Sequence, residues 1–187
     1  MTSTFRRRAV QGFTLIELLI VVIIIAILAA IAIPQFSNTS TDAQESASIA
    51  NLTTMRSAIE LYRVQHNNTY PSTVVAGAAA ALPCTGGTAG AGAPNSEAAF
   101  VEQLTTFSDA AGRTCSVAAP GYSFGPYLRA IPVEPVTNVA AVTVVTAAAT
   151  TPPGAATTGW RFLNTNGTLQ INTSRLSRDG ATALSAK

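Results

Sequence analysis

Few residues in this 187-residue chain have chemistry to offer, and the most conspicuous is Glu17. It is the fifth residue of an apolar run, residues 13–33, that opens on Phe13 and stops just before Pro34. A carboxylate at the centre of a membrane helix costs roughly 2.5–3.5 kcal/mol, and less near an interface. An acid retained there is a functional candidate, provided it has a partner. Cys84 and Cys115 are the other reactive pair. In an extracytoplasmic domain a disulfide between them is the natural reading, with two separately buried thiols as the alternative. Closing such a loop stabilises a fold by roughly 3–4 kcal/mol in the chain-entropy model.

Catalytic and metal constellations are missing from the pattern. The sequence has no glycine-rich phosphate loop and no HExxH. Its nine acidic residues form no paired-carboxylate cluster, and the cysteine spacing matches no zinc motif. The single His66 follows a helical pattern and reads as a solvated cap. These features predict no enzyme, no cofactor and no metal.

The elements that position Glu17 can be read from composition. Hydrophobic residues make up 48% of the chain and charged residues 11%, with much of the apolar excess in the first 33 positions. The rest is rich in Ala, Thr, Gly, Ser and Asn, as suits a loop-rich extracytoplasmic domain. The formal charge of +2 is owed to Arg6, Arg7 and Arg8, since residues 13–187 carry eight basic against nine acidic side chains. No basic surface for nucleic acid remains. As a helix, residues 13–33 reach about 31 Å, the thickness of a bilayer's hydrocarbon core. The arginines before them predict a cytoplasmic N-terminus. A secretory signal peptide cleaved at Ala30-Ile31-Ala32 is the competing reading. The length of the apolar run and the presence of Glu17 argue against it. Pro34 lacks a backbone donor and predicts a kink or loosening around residues 30–33.

With its basic leader, Gly12, aromatic-led apolar run, Glu17 and closing proline, "GFTLIELLIVVIIIAILAAIAIP" resembles the N-terminal signature of type IV pilins and type II secretion pseudopilins. That resemblance implies cleavage between Gly12 and Phe13 by a prepilin peptidase and N-methylation of Phe13. It implies that Glu17 meets the N-terminal amine of a neighbouring subunit in a filament, so that assembly supplies the missing cation. A melted or bent segment just before Pro34 is a further implication. The implied partners are other copies of the chain, the peptidase and methyltransferase, an inner-membrane assembly platform, minor pseudopilins, and lipid before assembly. The implied fold is α+β and pilin-like, a long N-terminal helix packed on a small antiparallel sheet.

Four segments follow: a leader at 1–12, a membrane or filament-core half-helix at 13–34, an amphipathic half-helix at 35–67, and a periplasmic head at 68–187. Within the third, Leu52, Met55, Ile59 and Tyr62 recur at three- and four-residue steps and form one apolar stripe. The helical pattern restarts after the polar patch at 37–41. Residues 72–95 read as a flexible surface loop. "SEAAFVEQLTTF" reads as a short helix capped by Ser96, with Phe100, Leu104 and Phe107 on one face. Residues 109–112 turn the chain. Strands are expected at 138–146, 159–163 and 168–172, the last two forming a hairpin with Trp160 and Phe162 on its buried face. "GPYLRAIPVEP" resembles a stretch of the major pseudopilins, in which a C-terminal loop rich in acids commonly holds calcium. Here that loop offers only Asp179, a poor match to the several hard oxygen ligands calcium needs. A type II secretion major pseudopilin is therefore the favoured reading, with a type IV pilin second and a secreted or periplasmic binding module as the rival of another class.

Overall fold

The computed structural model describes residues 12–77, 83–147, 157–177 and 180–186, apart from the side chains of residues 33–38. Most of the leader and Asp179 lie outside these residues. Two compact units divide the chain at residues 41 and 42.

The dominant element is α1, Leu15–Gln65, 51 residues long. It shows no melted segment at Pro34 and no break at residues 37–41. A proline removes one ladder bond and leaves the flanking turns intact, a loss that a helix of this length absorbs. The part of α1 within the first unit buries almost nothing. From Leu15 to Ala32 it is apolar enough to cross a membrane, with a mean hydropathy of 3.3.

In the second unit α1 carries the expected stripe. Leu52, Met55, Ile59 and Tyr62 are all buried and meet Phe100, Leu104, Val142, Trp160, Phe162, Leu169, Ile171 and Leu184 in one core. The short helix α2, Glu97–Thr105, starts where Ser96 Oγ accepts from Ala99 N at 3.1 Å. This cap satisfies a donor that the first turn leaves free. At its other end, Leu104 O accepts from both Tyr127 N and Leu128 N at 2.9 Å, which places "GPYL" over the end of α2. Tyr127 Oη also donates to Gln65 Oε1 at 2.6 Å, at the end of α1.

The sheets are small. Strands β1, Phe107–Ser108, and β2, Thr114–Cys115, pair antiparallel around the turn at Asp109. There, Asp109 Oδ1 accepts from Ala111 N and Arg113 N, and Asp109 Oδ2 pairs with the Arg113 guanidinium. The larger sheet comprises β3, Val142–Val145, β4, Trp160–Leu163, and β5, Thr168–Ile171. Its β4–β5 hairpin has the expected register, with Trp160 opposite Ile171 and Phe162 opposite Leu169. The β3–β4 pairing is parallel, so the sheet is mixed where a wholly antiparallel one was expected. Parallel neighbours need a crossover of about a dozen residues, and the chain between Val145 and Trp160 is long enough. Gly167 closes the hairpin at φ +76°, and a Cβ there would collide with the ring of Tyr70. Both facts require glycine.

The loop at 72–95 is pinned at several points, contrary to its flexible composition. Gln103 Oε1 accepts from Ser72 N at 2.6 Å, and its Nε2 donates to Gly112 O at 2.8 Å. Glu102 accepts from Ala91 N at 3.1 Å and Gly92 N at 3.0 Å. Side chains of α2, which local composition does not reveal as anchors, hold this loop in place.

Candidate functional site

The candidate site begins at the start of α1. Thr14 is the residue before the first helical position, and its carbonyl accepts from Leu18 N at 3.3 Å. Its hydroxyl accepts from Glu17 N at 3.3 Å. Glu17 Oε2 reaches back to accept from Thr14 N at 2.8 Å and from Thr14 Oγ1 at 2.6 Å. This is a reciprocal capping box, in which two otherwise unpaired backbone donors of the first turn find partners. The carboxylate also lies at the positive end of the helix dipole, which favours its charge. Both bonds fall on Oε2, and among the described residues Oε1 receives none. Thr14 was not singled out as a site residue from sequence, although T-x-x-E ahead of an apolar run is the signature of this cap.

Gly12 and Phe13 precede the helix. A Cβ on Gly12 would meet nothing within 4 Å, so neither close packing nor a left-handed backbone requires glycine at this position. Phe13 is 89% exposed, and the large side chains from Leu15 to Ile31 are each more than half exposed. Burying one such side chain is worth about 1.5–3 kcal/mol. A run of exposed ones this long needs lipid or other protein against it. Pro34 lies within α1, and its side chain falls outside the described residues.

Cys84 and Cys115 form a disulfide with Cα atoms 5.4 Å apart, spanning 31 positions. Cys115 is buried in β2, opposite Phe107, and Ala89 bridges to it from the tied loop. The disulfide therefore anchors the middle of a loop that Gln103 holds near its start and Glu102 near its end.

His66 is not the solvated cap that its position suggested. It is 1% exposed, with Nδ1 at 2.8 Å from Tyr62 O and Nε2 at 3.0 Å from Ser108 Oγ. These partners make Nδ1 the donor and Nε2 the acceptor of a neutral ring. Tyr62 stacks on it at 3.8 Å between ring centroids, and Phe124 and Tyr127 meet it edge-on. Burial holds its pKa below the ordinary histidine value, with the Tyr62 carbonyl and Asp109 opposing. The groups that bury it come from β1 and the 124–127 segment, far away in sequence. Glu134 was also missed. It is fully buried, accepts from Ser48 Oγ at 2.6 Å and Thr137 N at 2.6 Å, and ties its loop to α1.

Among the described residues no group of three or more His, Cys, Asp or Glu side chains is placed to hold a metal ion. With only Asp179 in the acid-poor C-terminal loop, the residues do not fit the calcium site that pseudopilin resemblance suggests.

Residues 7–33 match the family model described as the prokaryotic N-terminal methylation motif. The type II secretion system core protein G of Pectobacterium carotovorum is 32% identical over 71 residues, 38% of this chain and 43% of that protein. Its counterpart from Pseudomonas aeruginosa is 37% identical over 68 residues, 36% of this chain and 47% of the relative. The type IV major fimbrial protein FimA of Dichelobacter nodosus is 58% identical over 50 residues, 27% of this chain and 32% of that protein. The chain thus spans less than half the length of these curated relatives. No solved structure matches. The chain carries the prokaryotic N-terminal methylation motif and has among its homologues both type II secretion core proteins G and type IV fimbrial proteins.

Proposed function

We propose that the chain is the precursor of a pilin-like filament subunit, inserted once in the bacterial inner membrane with its head in the periplasm. The observation that carries this reading is the bare apolar segment of α1 from Leu15 to Ala32, whose one acid, Glu17, sits in the first turn, within the methylation motif. A prepilin peptidase cuts between Gly12 and Phe13, and the new N-terminus at Phe13 is methylated. Gly12 has open space around it, so the fold imposes no glycine there and the demand falls on the processing enzyme. After cleavage the capping box holds the Glu17 carboxylate in place, with Oε1 free to receive the N-terminal amine of a neighbouring copy. Pairing within a low-dielectric helix bundle then sets the axial stagger between subunits. Pro34 marks the upper limit of the segment that leaves lipid for the filament core.

A role as the major pseudopilin of a type II secretion system is favoured by the "GPYLRAIPVEP" stretch and by the similarity to core protein G. The second reading, a type IV pilin, is supported by the FimA similarity and the disulfide-tied insert. In neither reading does the subunit catalyse a reaction.

The N-terminus and intact mass of the protein recovered from its own cells test this directly. A chain starting at Phe13 and one methyl group heavier than its sequence is expected, whereas one starting at Ile33 would overturn the filament reading. Glu17→Ala is expected to leave insertion and processing intact while filament yield, counted by electron microscopy, drops at least tenfold. Gly12→Ser is expected to block maturation, which an enzyme cutting after Ala32 would ignore.

A further inference from the structure

We propose that the cavity between the C-terminal end of α1 and the turn at Asp109 is a binding site for a small neutral hydroxylated ligand, the size of one sugar ring. The site lies within the second unit and is independent of the filament reading.

The cavity has a volume of about 250 Å³. Tyr62, His66, Asn67 and Thr69 line it from the end of α1 and the turn that follows, and Val74 and the Asp109 turn complete it. A water molecule takes up about 30 Å³, so the space exceeds that of a single structural water. It is smaller than the roughly 300–1,000 Å³ of pockets that take drug-sized ligands. One ring, or less, matches it.

The observation that calls for a ligand is at Tyr62. This residue is fully buried, and among the described residues its Oη has no hydrogen-bond partner. Gly112 locates that hydroxyl: a Cβ there would lie 2.6 Å from Tyr62 Oη and 2.7 Å from Val74 Cγ2. The left-handed φ of +82° already asks for glycine at 112, and the missing side chain leaves Oη beside the wall made by Val74 and the Asp109 turn. The polar groups nearby are committed elsewhere. Gln103 Nε2 donates to Val74 O at 3.2 Å and Gly112 O at 2.8 Å. Both ring nitrogens of His66 are occupied. Asp109 is held by Arg113 and by the amides of Ala111 and Arg113. Buried hydroxyls ordinarily find a partner, and this one can find it only in something that enters the cavity.

The chemistry of the ligand follows from the lining. Among the described residues neither the Asn67 amide nor the Thr69 hydroxyl is tied to another group, so both remain to be donors and acceptors. No lining side chain is charged at neutral pH. Burial holds His66 below the ordinary histidine range, and burial, with Tyr127 and Asp109 adding to it, holds the Tyr62 hydroxyl above the ordinary tyrosine range. The negative end of the α1 dipole disfavours an anion. A cation finds no spare carboxylate, since that of Asp109 is spent on Arg113. Methyl groups of Val74, Ala110 and Ala111 beside three polar side chains suit a molecule with an apolar face and a hydroxyl-bearing edge, as a sugar ring has.

The test uses the full-length chain in detergent and ligand-observed NMR. Methyl β-D-glucopyranoside and N-acetylglucosamine are expected to bind saturably, and the charged sugars glucosamine and glucuronate about tenfold more weakly. Tyr62→Phe removes only Oη, Thr69→Val only the hydroxyl, and Asn67→Gly the amide at a φ of +51° where glycine fits. Each is expected to weaken binding of the neutral sugars about tenfold. The melting temperature of Tyr62→Phe should stay within about 3 °C of the parent, because its hydroxyl has no partner in the fold to lose. The trimer of N-acetylglucosamine separates two sources of the same chemistry. Binding as tight as the monomer's marks the end of a glycan as the ligand, and exclusion of the trimer marks a free sugar. Absence of saturable binding by both neutral probes would overturn the site. So would undiminished binding in all three variants, or preference for a charged sugar.

Discussion

The two units of this chain share one helix and solve opposite problems with it. In the first unit, α1 from Leu15 to Ala32 is apolar apart from Glu17, buries almost none of its surface and is held at its start by a local device, the Thr14–Glu17 box. In the second, α1 is amphipathic, its stripe is buried to 0–1% exposure, and its polar groups bond to residues 62 to 132 positions away. The contrast shows where the information for each half resides. The head carries its own core and can be understood from one chain. Among the described residues the first segment packs against nothing in its own chain, and its apolar side chains are left exposed.

Substitutions can break or sharpen this contrast. Trp160 is fully buried, with Nε1 donating to Pro132 O at 2.8 Å. Trp160→Ala is expected to destabilise the head by about 3–5 kcal/mol, seen as a lower urea midpoint in detergent, while membrane insertion is unchanged. Loss of insertion would show that the units are not independent. Replacing Cys84 and Cys115 together by serine should cost about 3 kcal/mol. The loss is expected to be smaller if Glu102 and Gln103 alone keep the 72–95 loop in place, and hydrogen exchange at Ala91 and Gly92 would reveal it. Thr14→Ala should cost about 1 kcal/mol, confined to faster exchange in the first turn of α1, with the head's melting temperature unchanged.

The smallest effect concerns acid. Because burial lowers the pKa of His66 in the folded head, the unfolded chain binds a proton first as pH falls. The stability that neutral His66 contributes is therefore complete above the ordinary histidine pKa near 6.5. It is lost as pH drops below that value and through the folded pKa. His66→Gln is expected to flatten this part of the stability profile, and an unchanged slope would assign it to other groups.

Much of this architecture was legible because it is periodic or local. The α1 stripe, the Ser96 cap and the alternation of Trp160 and Phe162 each declare themselves within a dozen residues. What stayed hidden came from afar. His66, beside two asparagines at a helix end, looks wet until Ser108, Phe124 and Tyr127 close over it. Glu134 looks like a loop acid until Ser48 meets it from 86 positions away. The parallel β3–β4 pairing depends on a crossover whose composition shows no periodicity. At the site the signal is local instead: T-x-x-E at Thr14 and Glu17 spells the capping box within one helical turn.

The fastening of α1 to the head also determines how the subunit would respond to force. Arg56 donates to Leu169 O at 2.8 Å, Ser48 to Glu134, and Glu45 binds Ser177. These attachments are staggered along the helix and end on strands and loops late in the chain. A pull along the helix axis loads them side by side, in shear, rather than peeling them one after another. Tension entering through the N-terminal segment is thereby shared with the last third of the polypeptide, and the head would yield as a block instead of unravelling from its start.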